Sequence, residues 1–486
     1  MRKIAVFVCI FCFALLSFGF GCNKDNGNTG NVVEIVVDGG GQNAMFNSTK
    51  SMVYDKYANP YPYNTLEKLA KEWSDKNDKY EIVINRNSLN GMRSAITGLL
   101  DAGTAPDMLY QAGGVINDDL GKGWYVDLTP YFDTPNPYAE GNQKWGDIYN
   151  KEELDGTRAS DGKIYYACLD KVTVGLMYNT EILKAAGITE IPQTFSEFLT
   201  CLETLKQAKA AGTINAEVYL HQGFWMEIYL NTSVYASKVK EFDEDGNGMV
   251  SGYELAKAYK AGKWSYEDEE FKDYLQLCHK KASYYPANYL AYDTAAKFSK
   301  GQLAITDGLG NNMNIAYRGL KDKLKISGYP ALDKAASEYG GYTCVRGSAG
   351  LSTAYWVTSS AVNKGEGAVE ACVDFLKFLT APKNNARMVN DLGFALPLNV
   401  ADNTTAIFND LSAQYEEDMK NPNSVMWSSI NLFNSFGQKF YDTYEKGMGE
   451  FYGKNHNGEI GYITGLLGGD VEETINSMAK KYGWTF

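Results

Sequence analysis

Apolar and polar positions alternate between two rhythms along the first third of the chain. Val32–Val37 (VVEIVV) is a short apolar run closed by Asp38-Gly39-Gly40-Gly41, which predicts a buried strand and a turn. Over Asn64–Lys76, Leu66, Leu69, Ala70 and Trp73 recur at the helical period, with Asn64 and Glu67 at capping-box spacing. Tyr80–Asn85 predicts a second strand, Gly91–Ala102 a second helix and Pro106–Gln111 a third strand. Strand and helix in alternation specify an α/β fold with a mainly parallel sheet. Ligands of such sheets bind beyond the carboxyl ends of the strands, here Asp38 to Gln42 and Tyr110 to Gly113.

Farther on, Lys163–Asn179 predicts one long strand region, and a helix follows it to Gly187. Phe195–Ala211 is an amphipathic helix, Tyr355–Val362 is strand-like, and Glu366–Leu379 is a periodic helix stopped by Ala381-Pro382. Helices dominate from Phe408 onward, and no short internal repeat is visible.

The start of the chain changes the picture. Arg2 and Lys3 precede an apolar run, Ile4 to Phe18, that ends in small residues and Cys22, the pattern of a secretory signal over residues 1–21. The run is shorter than the roughly 20 residues that a membrane span needs. Residues 22–31 read as a polar, Gly/Asn-rich tether. Cysteine at the cut point resembles a bacterial lipoprotein, so lipidation of Cys22 is the expectation, with ordinary secretion as the alternative. Gly19 stands where such sites usually carry leucine.

Removing 21 of 486 residues leaves 465, more than one core usually supports, so two lobes are expected. The net charge of −13 becomes −15 without Arg2 and Lys3, a poor match to nucleic acid. No later segment is apolar enough to span a membrane. Cys168, Cys201, Cys278, Cys344 and Cys372 show no framework spacing; they read as small buried residues, with a bridge between Cys344 and Cys372 left open. Thirty-five tyrosines and eight tryptophans recur beside Asn, Gln and Asp, which suits sugar rings as well as ordinary packing.

Several motifs then fall in order. RSAITGLLDAGTAPDMLY (93–110), GKGWYVDLTPY (121–131), DGKIYYACLDKVTVGLMYNTEILKAAGI (161–188), PQTFSEF (192–198), FSKGQLAITDG (298–308) and ACVDFLKFLTAPKNNARMVNDLGFALPLN (371–399) run through nearly the whole chain. Together they resemble the extracellular solute-binding proteins of carbohydrate ABC importers, of the maltose-binding-like type. That resemblance implies a two-lobed, type II periplasmic-binding-protein-like fold, each lobe a sheet flanked by helices, with a hinged cleft between them. It implies lobe 1 from 32–168 plus 353–395 and lobe 2 from 169–352 plus 396–486, with crossings near 165–180 and 345–357. It also implies an oligosaccharide ligand, ABC permease subunits as partners, a monomer, and a place on the outer face of the bacterial cytoplasmic membrane, held by the lipid anchor alone.

A second motif is independent of that family. Residues 243–254, DEDGNGMVSGYE, fit the EF-hand pattern D-x-[DN]-x-[DN]-G-x5-E at every required position. Calcium takes six to eight hard oxygens. Asp243, Asp245 and Asn247 would supply side chains, Met249 its carbonyl, Ser251 a contact through water, and Glu254 a bidentate carboxylate. Gly248 permits the turn, and Phe242 and Val250 supply the apolar flanks. The expected cofactor is Ca2+, in a structural role within lobe 2.

Other chemistry lacks support. Asp38-Gly39-Gly40-Gly41 with Ala44 spells G-x-G-x-x-A, which fits a ligand-side turn better than a dinucleotide loop. There is no Walker motif, no HExxH and no GxSxG, and the three histidines have no ligand spacing. A secreted glycan-active enzyme or adhesin remains the alternative, because paired carboxylates need not be neighbours in sequence. The candidate sugar contacts are Trp225 as a stacking platform, Tyr110 and Gln111 at the third strand's end, Asp38 and Gln42 at the first's, Asp307 after LAIT, Tyr355 near the second crossing, and Trp427.

Overall fold

The computed structural model describes residues 32–40, 65–85, 92–159, 161–365, 367–393 and 395–486. Cys22, the signal and tether, Asn64 and Gln42 lie outside them. Ten strands run among the described residues: β1 (Val33–Asp38), β2 (Tyr80–Asn85), β3 (Met108–Tyr110), β4 (Tyr166–Val172), β5 (Val174–Asn179), β6 (Glu217–Leu220), β7 (Leu303–Leu309), β8 (Leu324–Ser327), β9 (Leu351–Val357) and β10 (Ala395–Leu396). They form two sheets, ordered β10-β4-β9-β3-β1-β2 and β6-β7-β5-β8.

Most strands within each sheet point one way. The exceptions are explained by the crossings. β9 returns from the second sheet and pairs antiparallel with both β3 and β4. β5 leaves the first sheet and pairs antiparallel with both β7 and β8. A parallel doubly wound core therefore carries antiparallel ladders wherever the chain changes lobe.

Each sheet has its own apolar core. Leu66, Leu69, Ala70 and Trp73 are buried, as their period predicts, on the helix Thr65–Ser74 that covers the first sheet. In the second lobe, Thr194 and Glu197 close a capping box that starts the helix Phe195–Ala210. A third cluster joins Met177 and Met313 to Leu396, Phe408 and Leu411, so the segment after β10 packs on the second lobe.

Two expectations are corrected and one open alternative is closed. The single strand over 163–179 is two strands, broken at Thr173, because each half pairs in a different sheet. The strand expected to reach Val362 stops at Val357; Thr358 accepts from the Ser360 N–H and caps a helix, Ser359–Asn363. Cys344 and Cys372 are free and belong to different cores, so no bridge joins them. The crossing itself demands a small residue. A Cβ on Gly175 would stand 2.2 Å from the Ser327 carbonyl oxygen, inside its van der Waals shell. Thr353 in β9 holds φ at +46, unusual for a β-branched residue, opposite the first crossing strand.

Candidate functional site

The strand ends of the first lobe converge as the α/β rule requires. β1 delivers Asp38, whose carbonyl accepts a 2.7 Å bond from the Tyr355 hydroxyl; β3 delivers Tyr110, its ring 6.2 Å from that of Tyr355. Gln111 is buried, and its amide is occupied: Oε1 accepts from Arg93 at 3.2 Å and Nε2 donates to the Tyr125 hydroxyl at 2.5 Å. Its carbonyl accepts from Trp356 Nε1 at 3.1 Å. Among these groups Tyr110 keeps partial exposure, whereas Asp38, Gln111 and Tyr355 are buried.

Sequence reasoning missed Asp170. It sits in β4 at the crossing, fully buried, with Oδ2 accepting from the Thr353 hydroxyl at 2.7 Å and Oδ1 without a hydrogen-bond partner among the described residues. Burial pushes its carboxyl up to about 7. Burial, then the charges of Asp170 and Asp38, push the Tyr110 hydroxyl up to about 12. The only available signal was a polar pair, Asp170-Lys171, inside an apolar strand.

A raised carboxyl holds its proton in the folded chain at pH values where the unfolded chain has released it. Stability from this group is therefore present below about pH 4 and is lost as pH rises toward 7. Asp170→Asn should flatten that slope, removing on the order of 2 kcal/mol of the difference between pH 5 and pH 7, as read by urea denaturation at each pH.

In the second lobe the residues after β6 form an aromatic corner. Trp225 opens the helix Trp225–Phe242, and its ring lies 6.3 Å from that of Trp427 at 37°. Gly223 makes room for it: a Cβ there would stand 2.8 Å from the Trp225 indole nitrogen. Trp225 is partly exposed; Trp427 is buried, and its Nε1 has no hydrogen-bond partner among the described residues. Two candidates 202 positions apart in sequence thus meet.

Asp307 offers no exposed surface. It is fully buried in β7, with Oδ1 accepting the Gln222 backbone N–H at 2.7 Å, so it holds the turn that leads to Trp225. Burial pushes it up to about 6. Beneath the same turn is a charged cluster that the sequence concealed. Lys281 donates to Glu227 at 2.6 Å, both wholly buried; Tyr452 donates to the same oxygen at 2.7 Å, and His221 stands 3.4 Å from it.

The 243–254 loop bridges two helices, Trp225–Phe242 and Gly252–Lys260. Asp243 accepts from the N–H groups of Gly246, Asn247 and Gly248 at 2.8–3.1 Å, and Ser251 caps the second helix through a capping box with Glu254. Carboxylate oxygens of Asp243, Asp245 and Glu254 lie within 4.8 Å of one another. Two ligands on opposite sides of a calcium ion, each at about 2.4 Å, would stand roughly that far apart. An all-oxygen donor set at that spacing fits the ion.

Comparisons with known proteins agree with the architecture. The family model for the bacterial extracellular solute-binding protein matches residues 68–422. The chain belongs to that family. Among solved structures it is similar to a chitin oligosaccharide binding protein, with 18% identity and a TM-score of 0.62 over 92% of this chain and 100% of that one. It is also similar to the GacH receptor of Streptomyces glaucescens, solved unliganded and with acarbose (14%, TM-score 0.59, 92% and 99%), and to apo RafE of Streptococcus pneumoniae (14%, TM-score 0.60, 91% and 99%). No curated protein sequence matches the chain. Among the described residues, no helix is long and apolar enough to cross a membrane.

Proposed function

We propose that this chain captures an extracellular oligosaccharide between its lobes and delivers it to the permease of an ABC importer. The pairing of Trp225 with Trp427 carries the reading. Sugar rings present C–H faces that stack on indoles, and a corner of two rings in the second lobe offers such a surface. Solved neighbours that bind chitin oligosaccharide and acarbose support the same solute class. The family consists of binding proteins, so the sugar should leave chemically unchanged.

Two further parts belong to this reading. Cys22 carries the lipid that keeps the trap beside its permease; Cys22→Ser should shift the protein from the membrane fraction to the medium, as blotted from cell fractions. The 243–254 loop holds a calcium ion through Asp243, Asp245, Asn247, the Met249 carbonyl, Ser251 by way of water, and Glu254. The ion would stabilise the second lobe by mass action. With a dissociation constant of ~0.1 mM, 1 mM calcium should add about 1.4 kcal/mol. The melting temperature should fall on chelation in the unaltered chain and stay put in Glu254→Gln.

A further inference from the structure

The helix Ile460–Tyr482 belongs to the second lobe, where Ile463, Leu467, Val471 and Ile475 bury it in the core. Its final turn reaches the first lobe. Lys481 pairs with Asp118, and the Tyr482 hydroxyl donates to the same carboxylate oxygen at 3.1 Å. Lys481 also donates to the Tyr482 hydroxyl at 2.9 Å, so the three groups close a ring of bonds.

Asp118 stands at the carboxyl end of β3, the edge where an α/β sheet places its ligands. It lies on the short helix Ile116–Asp119, which follows Gln111 and the turn Gly113–Val115. Its neighbour Asp119 is buried and pairs with Arg93, the residue that donates to Gln111. The first-lobe end of the contact thus adjoins the candidate strand-end groups.

The second-lobe end leads to the aromatic corner. Gly483 turns the chain with φ at +70, and the Trp484 N–H donates back to the Ala479 carbonyl at 3.0 Å, which closes the helix. Trp484 then packs on Tyr253 at 5.7 Å between ring centres, and the Tyr253 hydroxyl donates to the Thr485 carbonyl at 2.9 Å. Three residues before Tyr253, the Val250 N–H donates to the Ser429 carbonyl at 2.7 Å, two residues past Trp427.

Exposed ion pairs contribute little where two long side chains must be ordered to form them. Here part of that ordering is done beforehand: the Tyr482 ring lies 5.6 Å from that of Trp484, and one carboxylate serves two donors. The Lys481 and Asp118 side chains are 54% and 58% exposed, so dissolved salt screens the pair. Separation of the lobes at this edge carries Asp118 away from both donors at once.

We propose that Lys481 and Tyr482 form a salt-sensitive latch on Asp118, which holds the lobes together at the β3 edge of the cleft and must break for them to open there.

The test uses the chain from residue 22 with Cys22→Ser and with spin labels on Lys122→Cys and Glu473→Cys, exposed positions on either side of the latch. The five remaining cysteines are buried. Pulsed electron resonance in low and in high salt reads the distance between the labels. No solute is needed, so the outcome stands apart from the identity of the sugar. In low salt, Lys481→Glu should raise the share of long distances about two- to fivefold, and high salt should do the same to the unaltered chain. Adding Asp118→Lys to Lys481→Glu reverses the pair and should bring the short distances back. Lys480→Glu, the same charge change at the exposed neighbouring position, should leave the distribution as it is. A distribution unmoved by Lys481→Glu, moved as far by Lys480→Glu, or not recovered by the reversed pair overturns the latch.

Discussion

Lys281→Ala should cost the fold about 3–5 kcal/mol, the range expected when one partner of a buried ion pair is removed. Both Lys281 and Glu227 are inaccessible to water, and the ammonium also lies 5.4–5.8 Å from the rings of Tyr219, Tyr285 and Tyr452. Deleting the cation leaves Glu227 charged in an apolar surround with one tyrosine hydroxyl and His221 for company. The double variant Lys281→Met, Glu227→Gln should recover most of the loss, because it buries no net charge. Urea unfolding of the three chains measures this, and equal loss in single and double variants would refute it. The same pair sets an acid limit. Burial works to raise the Glu227 carboxyl, but Lys281 and His221 overcome it and hold it well below the usual range. A depressed carboxyl stabilises the fold above the unfolded value, near pH 4, and that contribution is lost as pH falls below it.

Trp225→Ala should weaken oligosaccharide binding by about 30–100-fold, the loss of roughly 2–3 kcal/mol that a central aromatic anchor supplies. Its partial exposure leaves ring surface for a ligand, and Trp427 behind it fixes the ring plane. Trp225→Phe should retain more than half of the lost binding energy, since a flat apolar face remains. Affinity unchanged in Trp225→Ala would move the stacking surface elsewhere, whereas a melting temperature that fell in step with affinity would mark the tryptophan as packing.

Local pattern made the first lobe legible. Tyr80–Asn85 is a strand over the residues that alternation assigns to it, and the helix Thr65–Ser74 buries the four residues its period singles out. Pattern failed where long-range pairing decides. Nothing local marks Thr173 as the break between β4 and β5, because both halves are apolar and each is paired by strands over 100 residues away. Asp307, expected just after the LAIT strand, instead lies within β7 and clamps the Gln222 turn, and Glu227 and Lys281, 54 positions apart, carry no spacing that announces a pair. Asp38 and Gln111 are at the strand ends predicted for them. Their burial depends on Tyr355, Arg93 and Tyr125, which reach them from elsewhere in the chain.

The central claim is that the chain binds a sugar reversibly and leaves it intact. Titrating the purified protein with a panel of neutral oligosaccharides, with melting temperature and recovered sugar both recorded, addresses it most directly. At least one oligosaccharide should raise the melting temperature saturably and be recovered at its original length. A panel in which no sugar moves the melting temperature, or in which the bound sugar comes back shortened, would contradict it.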